Sequence, residues 1–289
     1  MSPSISIAVI QFPGSNCEAE TARAVEAAGM KAEIFRWNRD PQELERFAGY
    51  IIGGGFSYQD RVRAGVIAAK EPIMEAVIAA ADAGKPVLGI CNGAQVLVET
   101  GLVPGLRGHA IDMALAPNQM VRGGRVVRRD YYCAWVHLRL SCAPDRCVFT
   151  GTLPADAVFP MPMAHGEGRF TTTHPDLLEQ LERNDQIVLR YCTPEGEIDP
   201  NFPINPNGAL ANMAGICNPA GNVLALMPHP ERASWLRQVP LDLGDAYGAR
   251  RRAARGHFPE LEGPGPGRAL FDSLRRFLEN RRGEALAGR

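Results

Sequence analysis

Short apolar runs alternate with helical patterns through the first third of the chain. Short apolar runs that end near glycine or proline are typical of buried strands, and they lie at residues 5–10, 50–52 and 86–90. A further strand is predicted at 33–37. The stretches between them have helical spacing, at residues 18–28, 41–47 and 71–83. Strands separated by helices of this length predict a parallel sheet with helices on both faces. In such α/β folds, ligands bind beyond the carboxyl ends of the strands.

The pattern changes after Pro117. A strand is predicted at residues 134–140, and within it residues 136–140 alternate apolar and polar positions, which is typical of half-solvated antiparallel strands. Further strands are predicted at 125–128 and 187–191, and an apolar run at 223–227 predicts a last one. We therefore expect an α/β fold with a mostly parallel sheet flanked by helices and with additional antiparallel strands.

The segment from 238 to 266 has a composition of its own. Proline, glycine and arginine are frequent in it, and Arg250-Arg251-Arg252 forms a basic cluster. This composition predicts an extended insertion or a loop, whose arginines form either a solvated face or a docking surface. Apolar residues at helical spacing follow, and they predict a C-terminal helix at about 267–282. We expect residues 1–289 to form a single domain.

Composition and charge narrow the class of protein. Hydrophobic residues make up 45% of the chain and charged residues 22%, which is typical of globular proteins. The net charge of −1 indicates no nucleic-acid or anionic-membrane partner. No apolar run approaches the ~18 residues of a membrane span, and Met1-Ser2-Pro3-Ser4 lacks the features of a signal peptide. We expect a cytoplasmic protein.

The cysteines favour reduced thiols. The chain has 7 of them, an odd number, and they are scattered over a length that does not need disulfides. Cys133, His137, Cys142 and Cys147 lie close in sequence, but their spacing matches no common zinc pattern. We therefore expect no metal site.

One cysteine lies in a pattern with chemical meaning. In Gly89-Ile90-Cys91-Asn92-Gly93 a predicted strand passes through Gly-x-Cys-x-Gly into a predicted helix at 94–100. This is the pattern of a nucleophile elbow with cysteine in place of serine. The helix N-terminus favours the reactive thiolate. A chance strand end with a buried cysteine is the alternative, since five-residue patterns are loose.

A base and anion-binding groups are predicted at other strand ends. Pro228-His229-Pro230-Glu231 follows the last strand, and in an extended segment Glu231 lies beside His229. Gly53-Gly54-Gly55 follows the third strand, and its N–H groups can approach a developing negative charge. A solvated turn and a plain glycine turn are the alternatives. Together with Cys91, these segments supply the parts of an acyl-transfer site. No other cysteine has a paired base in its sequence context.

Several segments together resemble class I glutamine amidotransferases, and most closely the glutaminase subunits of phosphoribosylformylglycinamidine synthase. They share the family's motifs at residues 54–58, 89–95, 164–170 and 227–232, and further matching segments lie at 12–17, 205–208 and 214–216. The resemblance covers most of residues 5–232 and the final helix. It implies a flavodoxin-like fold of the glutamine amidotransferase type. Gln59 and Ala94 depart from the family pattern, which usually has glycine and often an aromatic residue there.

The resemblance implies a role for each matching residue. Cys91 would attack the carboxamide of glutamine, His229 would act as base and then as acid, and Glu231 would orient the imidazole. It also implies an oxyanion hole made by Gly54, Gly55 and Asn92. It implies a substrate pocket made by Gln95, His165 and Gly166. His165 has a structural alternative, in which the imidazole anchors a loop.

The implied activity is hydrolysis of L-glutamine to glutamate and ammonia through a thioester on Cys91. The ammonia would pass to a synthetase subunit, PurL, which would act with the small subunit PurS. PurL would use ATP to convert formylglycinamide ribonucleotide to formylglycinamidine ribonucleotide in purine (IMP) biosynthesis. The chain has no Gly-x-x-x-x-Gly-Lys-Ser/Thr motif. We therefore expect ATP and magnesium on the partner and no cofactor here.

Two other functions remain open. The chain could be a cysteine hydrolase or peptidase on the same scaffold, although the His-Pro-Glu segment disfavours this. It could also be a catalytically silent assembly subunit, although the presence of Cys91, His229 and Glu231 argues against that.

Overall fold

The apolar runs of the first half of the chain form neighbouring strands of one sheet. The structure, a computed structural model, describes residues 4–287, with side chains described to residue 284. Within residues 4–287 the strands are β1 (Ser6–Gln11), β2 (Lys31–Arg36), β3 (Gly49–Ile52), β4 (Val87–Ile90), β5 (Leu106–His109), β6 (Ala114–Ala116), β7 (Met120–Arg122), β8 (Arg125–Arg128), β9 (Tyr132–Leu140), β10 (Val158–His165), β11 (Arg169–Thr171), β12 (Ile187–Cys192), β13 (Met213–Cys217) and β14 (Val223–Leu226).

Helices lie between and after these strands. The described α-helices are α1 (Glu18–Ala27), α2 (Pro72–Asp82), α3 (Asn92–Glu99), α4 (Leu177–Arg183), α5 (Ala246–Ala253), α6 (Phe258–Leu261) and α7 (Arg268–Ala287). The helix predicted at 41–47 is a 3-10 helix over Pro41–Arg46, capped by the Asp40 carboxylate, which accepts from the Gln42 N–H at 2.9 Å. No helix within 4–287 is long and apolar enough to cross a membrane.

The main sheet has nine strands in the order β10-β9-β12-β13-β14-β4-β3-β1-β2. The five strands from β14 to β2 are mutually parallel, and the other neighbours pair antiparallel. All residues of β3, β4 and β14 are buried, which explains why these strands are short continuous apolar runs. The predicted α/β class, with a parallel sheet, flanking helices and additional antiparallel strands, is confirmed.

The strand directions bring several loops to one edge of the sheet. β1, β3, β4 and β14 are parallel, so their carboxyl ends lie together. Direction reverses at each step from β14 through β13, β12 and β9, so β10 runs the same way as β14 and ends at the same edge. Five loops that follow strands therefore meet at this edge, which is where ligands bind in α/β sheets.

β10 was not predicted, because two prolines interrupt its pattern. A proline cannot donate a hydrogen bond to a neighbouring strand, so it argues against a central strand. In the structure, Pro160 and Pro162 lie on a strand at the edge of the sheet and pair with His137 and Trp135 of β9. An edge position leaves one side of the strand unpaired, and there proline is tolerated.

The extended conformation expected for 238–266 is wrong, because α5 and α6 lie within it. α5 is rich in alanine and arginine, which are strong helix formers. Its N-terminus is capped by Asp245, whose carboxylate accepts from the Gly248 N–H at 2.8 Å. Leu236, Val239 and Ala254 are buried in a small apolar cluster of their own. The segment therefore packs onto the rest of the chain. The C-terminal helix expected at about 267–282 lies at Arg268–Ala287.

Asp245 gives a test of this packing. Its second carboxylate oxygen lies 2.9 Å from Nε2 of His137 on β9, so one side chain both caps α5 and ties it to the sheet. We expect Asp245→Ala to weaken the docking of α5 by about 1–2 kcal/mol, since it removes a helix cap and a hydrogen bond. Trypsin should then cleave faster at the arginines of α5, as followed by mass spectrometry. The exposed Asp242→Ala is the matched control, and equal cleavage of the two variants would contradict the expectation.

Candidate active site

Cys91 occupies the one residue between the end of β4 and the start of α3. Its backbone angles are φ 52° and ψ −104°, in a region that residues with a Cβ rarely adopt. Such a conformation persists only where the surrounding structure imposes it, and it occurs frequently at active sites. The sharp turn presents the thiol at the carboxyl edge of the sheet, where it lines a cavity.

The two glycines around Cys91 are required by close packing. A Cβ on Gly93 would collide with the carbonyl oxygen of Ile52, the last residue of β3. A Cβ on Gly89 would lie 2.5 Å from the carbonyl oxygen of Gly93. The start of α3 therefore lies directly against the backbone of β3. This contact requires Gly93, and the close approach of β4 to the Gly93 carbonyl requires Gly89.

His229 and Glu231 form a buried pair. His229 Nδ1 lies 2.6 Å from Glu231 Oε1, and the two side chains are only 3% and 0% exposed. The main-chain N–H of His229 donates to the carbonyl of Pro162 on β10 at 2.8 Å, which fixes the segment to the sheet. Pro230–Ala233 is a 3-10 turn rather than an extended segment. The two side chains nevertheless meet, as the sequence predicted.

The pKa of His229 reflects two opposing effects. Burial lowers it, but the negative charge of Glu231 and the neighbouring sulfurs of Cys91 and Cys17 raise it more. The net pKa lies well above the usual range for histidine. His229 therefore favours the imidazolium form, and a positive charge next to a thiol stabilises the thiolate.

Cys17 is a second thiol beside the imidazole, and the sequence analysis missed it. Its Sγ lies 4.0 Å from His229 Nδ1, accepts a hydrogen bond from Arg232 at 3.1 Å and donates to Asn16 Oδ1 at 3.1 Å. No base lies near Cys17 in sequence, but the fold brings His229 beside it. Burial is the largest influence on the Cys17 pKa and raises it, so this sulfur is held as a thiol. Cys17 lies in the loop after β1, at the same edge of the sheet as Cys91. Because ligands bind beyond the carboxyl ends of parallel strands, this position in the chain could have identified Cys17 as a residue near the site.

Gly54, Gly55 and Asn92 lie around the same turn. The Gly54 carbonyl accepts from the N–H groups of Asn16 and Cys17 at 3.2 and 3.3 Å. Gly55 has φ 144° and pairs with Ser15 across an isolated bridge. Asn92 is the first residue of α3, where N–H groups have no acceptor within the helix. The glycine segment is thus tied to the loop after β1.

A chain of side-chain hydrogen bonds links the loops. Asn92 Oδ1 accepts from the Ser57 N–H at 3.1 Å, and its Nδ2 donates to Gln95 Oε1 at 2.9 Å. Gln95 Nε2 in turn donates to the carbonyl of Glu167 at 2.6 Å. The loop after β3, the start of α3 and the loop after β10 are therefore connected beside Cys91.

His165 and Gly166 lie at the end of β10 and line the cavity. His165 Nδ1 lies 3.1 Å from Asn118 Oδ1, and the Asn118 side chain also donates to the His165 carbonyl at 2.8 Å. Burial and the charge of His229 lower the pKa of His165 to about 3, so its ring is neutral at neutral pH. The side chain thus anchors a loop, as in the structural alternative, and also lines the cavity.

These features surround one cavity of about 210 Å³. Of the residues that the sequence analysis proposed, Cys91, His229, Gly55, Gln95, His165 and Gly166 line it. Glu231, Gly54 and Asn92 do not line the cavity. Glu231 contacts the lining residue His229, and Asn92 contacts the lining residue Gln95. The lining also includes residues that were not proposed, namely Asn16, Cys17, Phe56, Asp60, Tyr131, Ala164, Glu167 and Arg232.

One group within the described residues has the composition of a metal site. Cys17, His229 and Glu231 offer ligand atoms within 4.8 Å of one another. However, His229 Nδ1 already lies in hydrogen-bond contact with Glu231. The Arg232 guanidinium, at 3.1 Å from the Cys17 sulfur, places a positive charge where a cation would bind. The arrangement fits a histidine–carboxylate pair better than a metal centre.

Gly54 allows a test of how tightly His229 is held. A Cβ at this position would lie 2.7 Å from His229 Cε1 and 3.0 Å from Cys17 Sγ, so Gly54→Ala should displace the imidazole. We expect iodoacetamide to alkylate Cys91 at least about tenfold more slowly, since small displacements in reactive sites have effects of up to ~10²-fold. Mass spectrometry measures the rate. Gly244→Ala is the matched control, because its Cβ would meet nothing within 4 Å. Equal rates in both variants would show that the ring adapts.

Comparison with known proteins agrees with this geometry. Residues 4–277 match the CobB/CobQ-like glutamine amidotransferase domain family. A phosphoribosylformylglycinamidine synthase subunit PurQ from Methanothrix thermoacetophila is 52% identical over 276 residues, covering 96% of this chain and 99% of the relative. One from Pyrococcus furiosus is 41% identical, covering 80% and 90%. A chain of PurLQS from Thermotoga maritima matches with a TM-score of 0.67 and 29% identity, covering 96% of this chain and all of that one. The chain belongs to the PurQ family of glutamine amidotransferases.

Proposed function

We propose that the chain is the glutaminase subunit of a phosphoribosylformylglycinamidine synthase and hydrolyses L-glutamine to glutamate and ammonia. The observation that carries the proposal is the cavity in which Cys91, on its strained turn, meets the buried His229–Glu231 pair. Family membership supports glutamine as the substrate. We infer a cytoplasmic location.

The first half of the reaction forms a thioester. The Cys91 thiolate attacks the side-chain carbonyl carbon of glutamine, and the carbonyl oxygen becomes an oxyanion. The N–H groups of Gly54, Gly55 and Asn92 donate to that oxyanion, as such donors do in acyl transfer. The imidazolium of His229 then protonates the leaving nitrogen, and ammonia departs as the carbon–nitrogen bond breaks.

The second half regenerates the enzyme. Neutral His229 removes a proton from a water molecule, whose oxygen attacks the thioester carbon. The carbon–sulfur bond breaks, glutamate leaves, and Cys91 returns as the thiolate beside the imidazolium. Glu231 orients the ring through Nδ1 and stabilises its positive charge in both halves. Gln95, His165 and Gly166 bind the substrate in this proposal.

The ammonia passes to a synthetase partner. We propose PurL as the partner that uses ATP and magnesium to convert formylglycinamide ribonucleotide to formylglycinamidine ribonucleotide, with PurS as a further subunit. The similarity to a chain of PurLQS supports this assembly. This chain itself is proposed to act without a cofactor and without a nucleic-acid or membrane partner.

The other functions have less support. A peptidase needs an open groove for a polypeptide, whereas Cys91 is 5% exposed and His229 3% exposed. A silent assembly subunit has no need of a histidine–carboxylate pair buried beside a strained cysteine.

Cys91→Ala tests the proposal. With PurL and PurS present, we expect glutamine-dependent product formation to fall by several orders of magnitude, since losing a nucleophile has reduced kcat by up to ~10⁶ in other enzymes. Synthesis from added ammonium salts should persist, because the synthetase does not need this thiol. The exposed Cys133→Ala is the matched control and should keep full activity. Full glutamine-dependent activity in Cys91→Ala would refute the assignment.

A further inference from the structure

The carboxylate of Glu231 is buried with few groups to balance its charge. Its side chain is 0% exposed, and its one hydrogen bond within the described residues joins Oε1 to His229 Nδ1 at 2.6 Å. Oε2 is buried and has no partner among those residues. Burial disfavours the charged form of a carboxyl group unless another group compensates the charge. A second positive charge close to Glu231 therefore favours the ionised form that His229 requires.

Arg232 brings such a charge. Its Nε lies 4.0 Å from Glu231 Oε1. Among the side chains of residues 4–284, only His229 and Arg232 place a lysine, arginine or histidine nitrogen within 4.0 Å of this carboxylate. Arg232 also lines the cavity that contains Cys91. It has no part in the thioester steps proposed above, so its position beside both groups is unexplained by them.

The start of α1 holds the guanidinium in this place. Arg232 donates to the sulfur of Cys17 at 3.1 Å and lies 3.6 Å from Glu20 Oε1. Cys17 directly precedes α1, and Glu20 lies in its first turn. Cys17 is itself fixed, because its N–H donates to the Gly54 carbonyl at 3.3 Å. Without these contacts, a side chain that is 38% exposed would extend its charged end into solvent.

The sulfur of Cys17 holds the guanidinium without neutralising it. Burial is the largest influence on the pKa of Cys17 and raises it, so the group is an uncharged thiol. Its proton is donated to Asn16 Oδ1 at 3.1 Å, which leaves a lone pair of the sulfur for Arg232. Glu20 is 36% exposed, and ion pairs in contact with solvent are weak. The positive charge of Arg232 thus remains available to Glu231.

The pKa of Arg232 reflects the same neighbours. Burial lowers it, but the sulfur of Cys17, the carboxylates of Glu231 and Glu20 and the sulfur of Cys91 together raise it more. An electrostatic attraction acts equally on both of its members. A guanidinium that is stabilised by Glu231 and Cys91 therefore also stabilises the ionised forms of these two groups.

We infer that Arg232, held in place by Cys17, is a positioning residue for the glutaminase reaction. Its positive charge keeps Glu231 ionised, so that the carboxylate holds the imidazole of His229 in the orientation that proton transfer requires. It also favours the thiolate of Cys91. Because like charges repel, Arg232 acts on His229 only through Glu231. The inference rests on the proposed function, since it assigns these groups to the hydrolysis of glutamine.

Arg232→Gln, assayed in the complex with PurL and PurS, tests this role. We expect kcat for glutamine hydrolysis to fall about tenfold to hundredfold, since small displacements of reacting groups have effects of up to ~10²-fold. KM should change by less than about threefold, because Arg232 does not bind the substrate in this inference. Arg237→Gln is the matched control and should keep the wild-type kcat, since Arg237 pairs with Glu262 at 2.7 Å and does not line the cavity. An unchanged kcat in Arg232→Gln, or a rise in KM alone, would overturn the inference.

The link to Cys17 is tested with Cys17→Ala, which removes the acceptor, and Cys17→Ser, which keeps one. We expect Cys17→Ala to lower kcat at least about fivefold and Cys17→Ser to remain within about threefold of the wild type, because a hydrogen bond to a charged group is lost only in the first. In the Arg232→Gln background, Cys17→Ala should cause less than about a twofold further loss, since the two residues act through one contact. Equal losses from Cys17→Ala in both backgrounds, or from the alanine and serine variants, would contradict this link.

Alkylation of Cys91 by iodoacetamide does not depend on turnover. We expect the rate, followed by mass spectrometry, to be at least about fivefold lower in Arg232→Gln, because a smaller fraction of Cys91 is thiolate. Arg237→Gln should react at the wild-type rate, and equal rates in the two variants would count against the inference. If the wild-type complex hydrolyses no glutamine, the proposed function fails instead, and the alkylation rates still decide whether Arg232 supports the thiolate.

Discussion

The contact between the start of α3 and the end of β3 is the constraint on which the site depends. Because Gly93 lies against the Ile52 carbonyl, the chain has a single residue in which to turn from strand to helix. That residue, Cys91, takes a positive φ and presents its sulfur at the sheet edge. The same contact brings the N-terminus of α3 next to the glycine segment after β3. The packing of α3 against β3 thus positions both the nucleophile and the proposed oxyanion donors.

The remaining parts of the site are attached to this centre by the sheet and by short hydrogen bonds. His229 follows β14 and is fixed by the Pro162 carbonyl of β10. Asn92 and Gln95 carry the connection from the nucleophile to the loop after β10. Groups held on strand ends and supported by a second layer of hydrogen bonds keep their geometry better than groups on free loops. Tyr58, Gln59 and Asp60 have consecutive positive φ values of 53°, 62° and 53°, and this strain is tolerated because the neighbours of the segment are fixed.

The sequence predicted the features that are local, and it missed those that depend on distant neighbours. The strands near 5–10, 50–52 and 223–227 were found because a buried parallel strand is a continuous apolar run. The meeting of His229 and Glu231 was found because the two lie two residues apart. Cys17 and Asp60 were missed because nothing near them in sequence signals His229 or Glu167, which the fold brings to them. The helices within 238–266 were missed because glycine and proline at its ends masked the alanine and arginine of α5.

The two buried histidines of the cavity show why burial alone does not determine charge. His165 and His229 are each 3% exposed and line the same cavity. Burial lowers the pKa of both rings, and it prevails at His165, whose nearest partner is the uncharged amide of Asn118. At His229 the carboxylate of Glu231 reverses the outcome and raises the pKa. The positive charge of His229 further lowers the pKa of His165. One carboxylate therefore makes His229 the ring that can give a proton to a leaving group, and it leaves His165 as an acceptor.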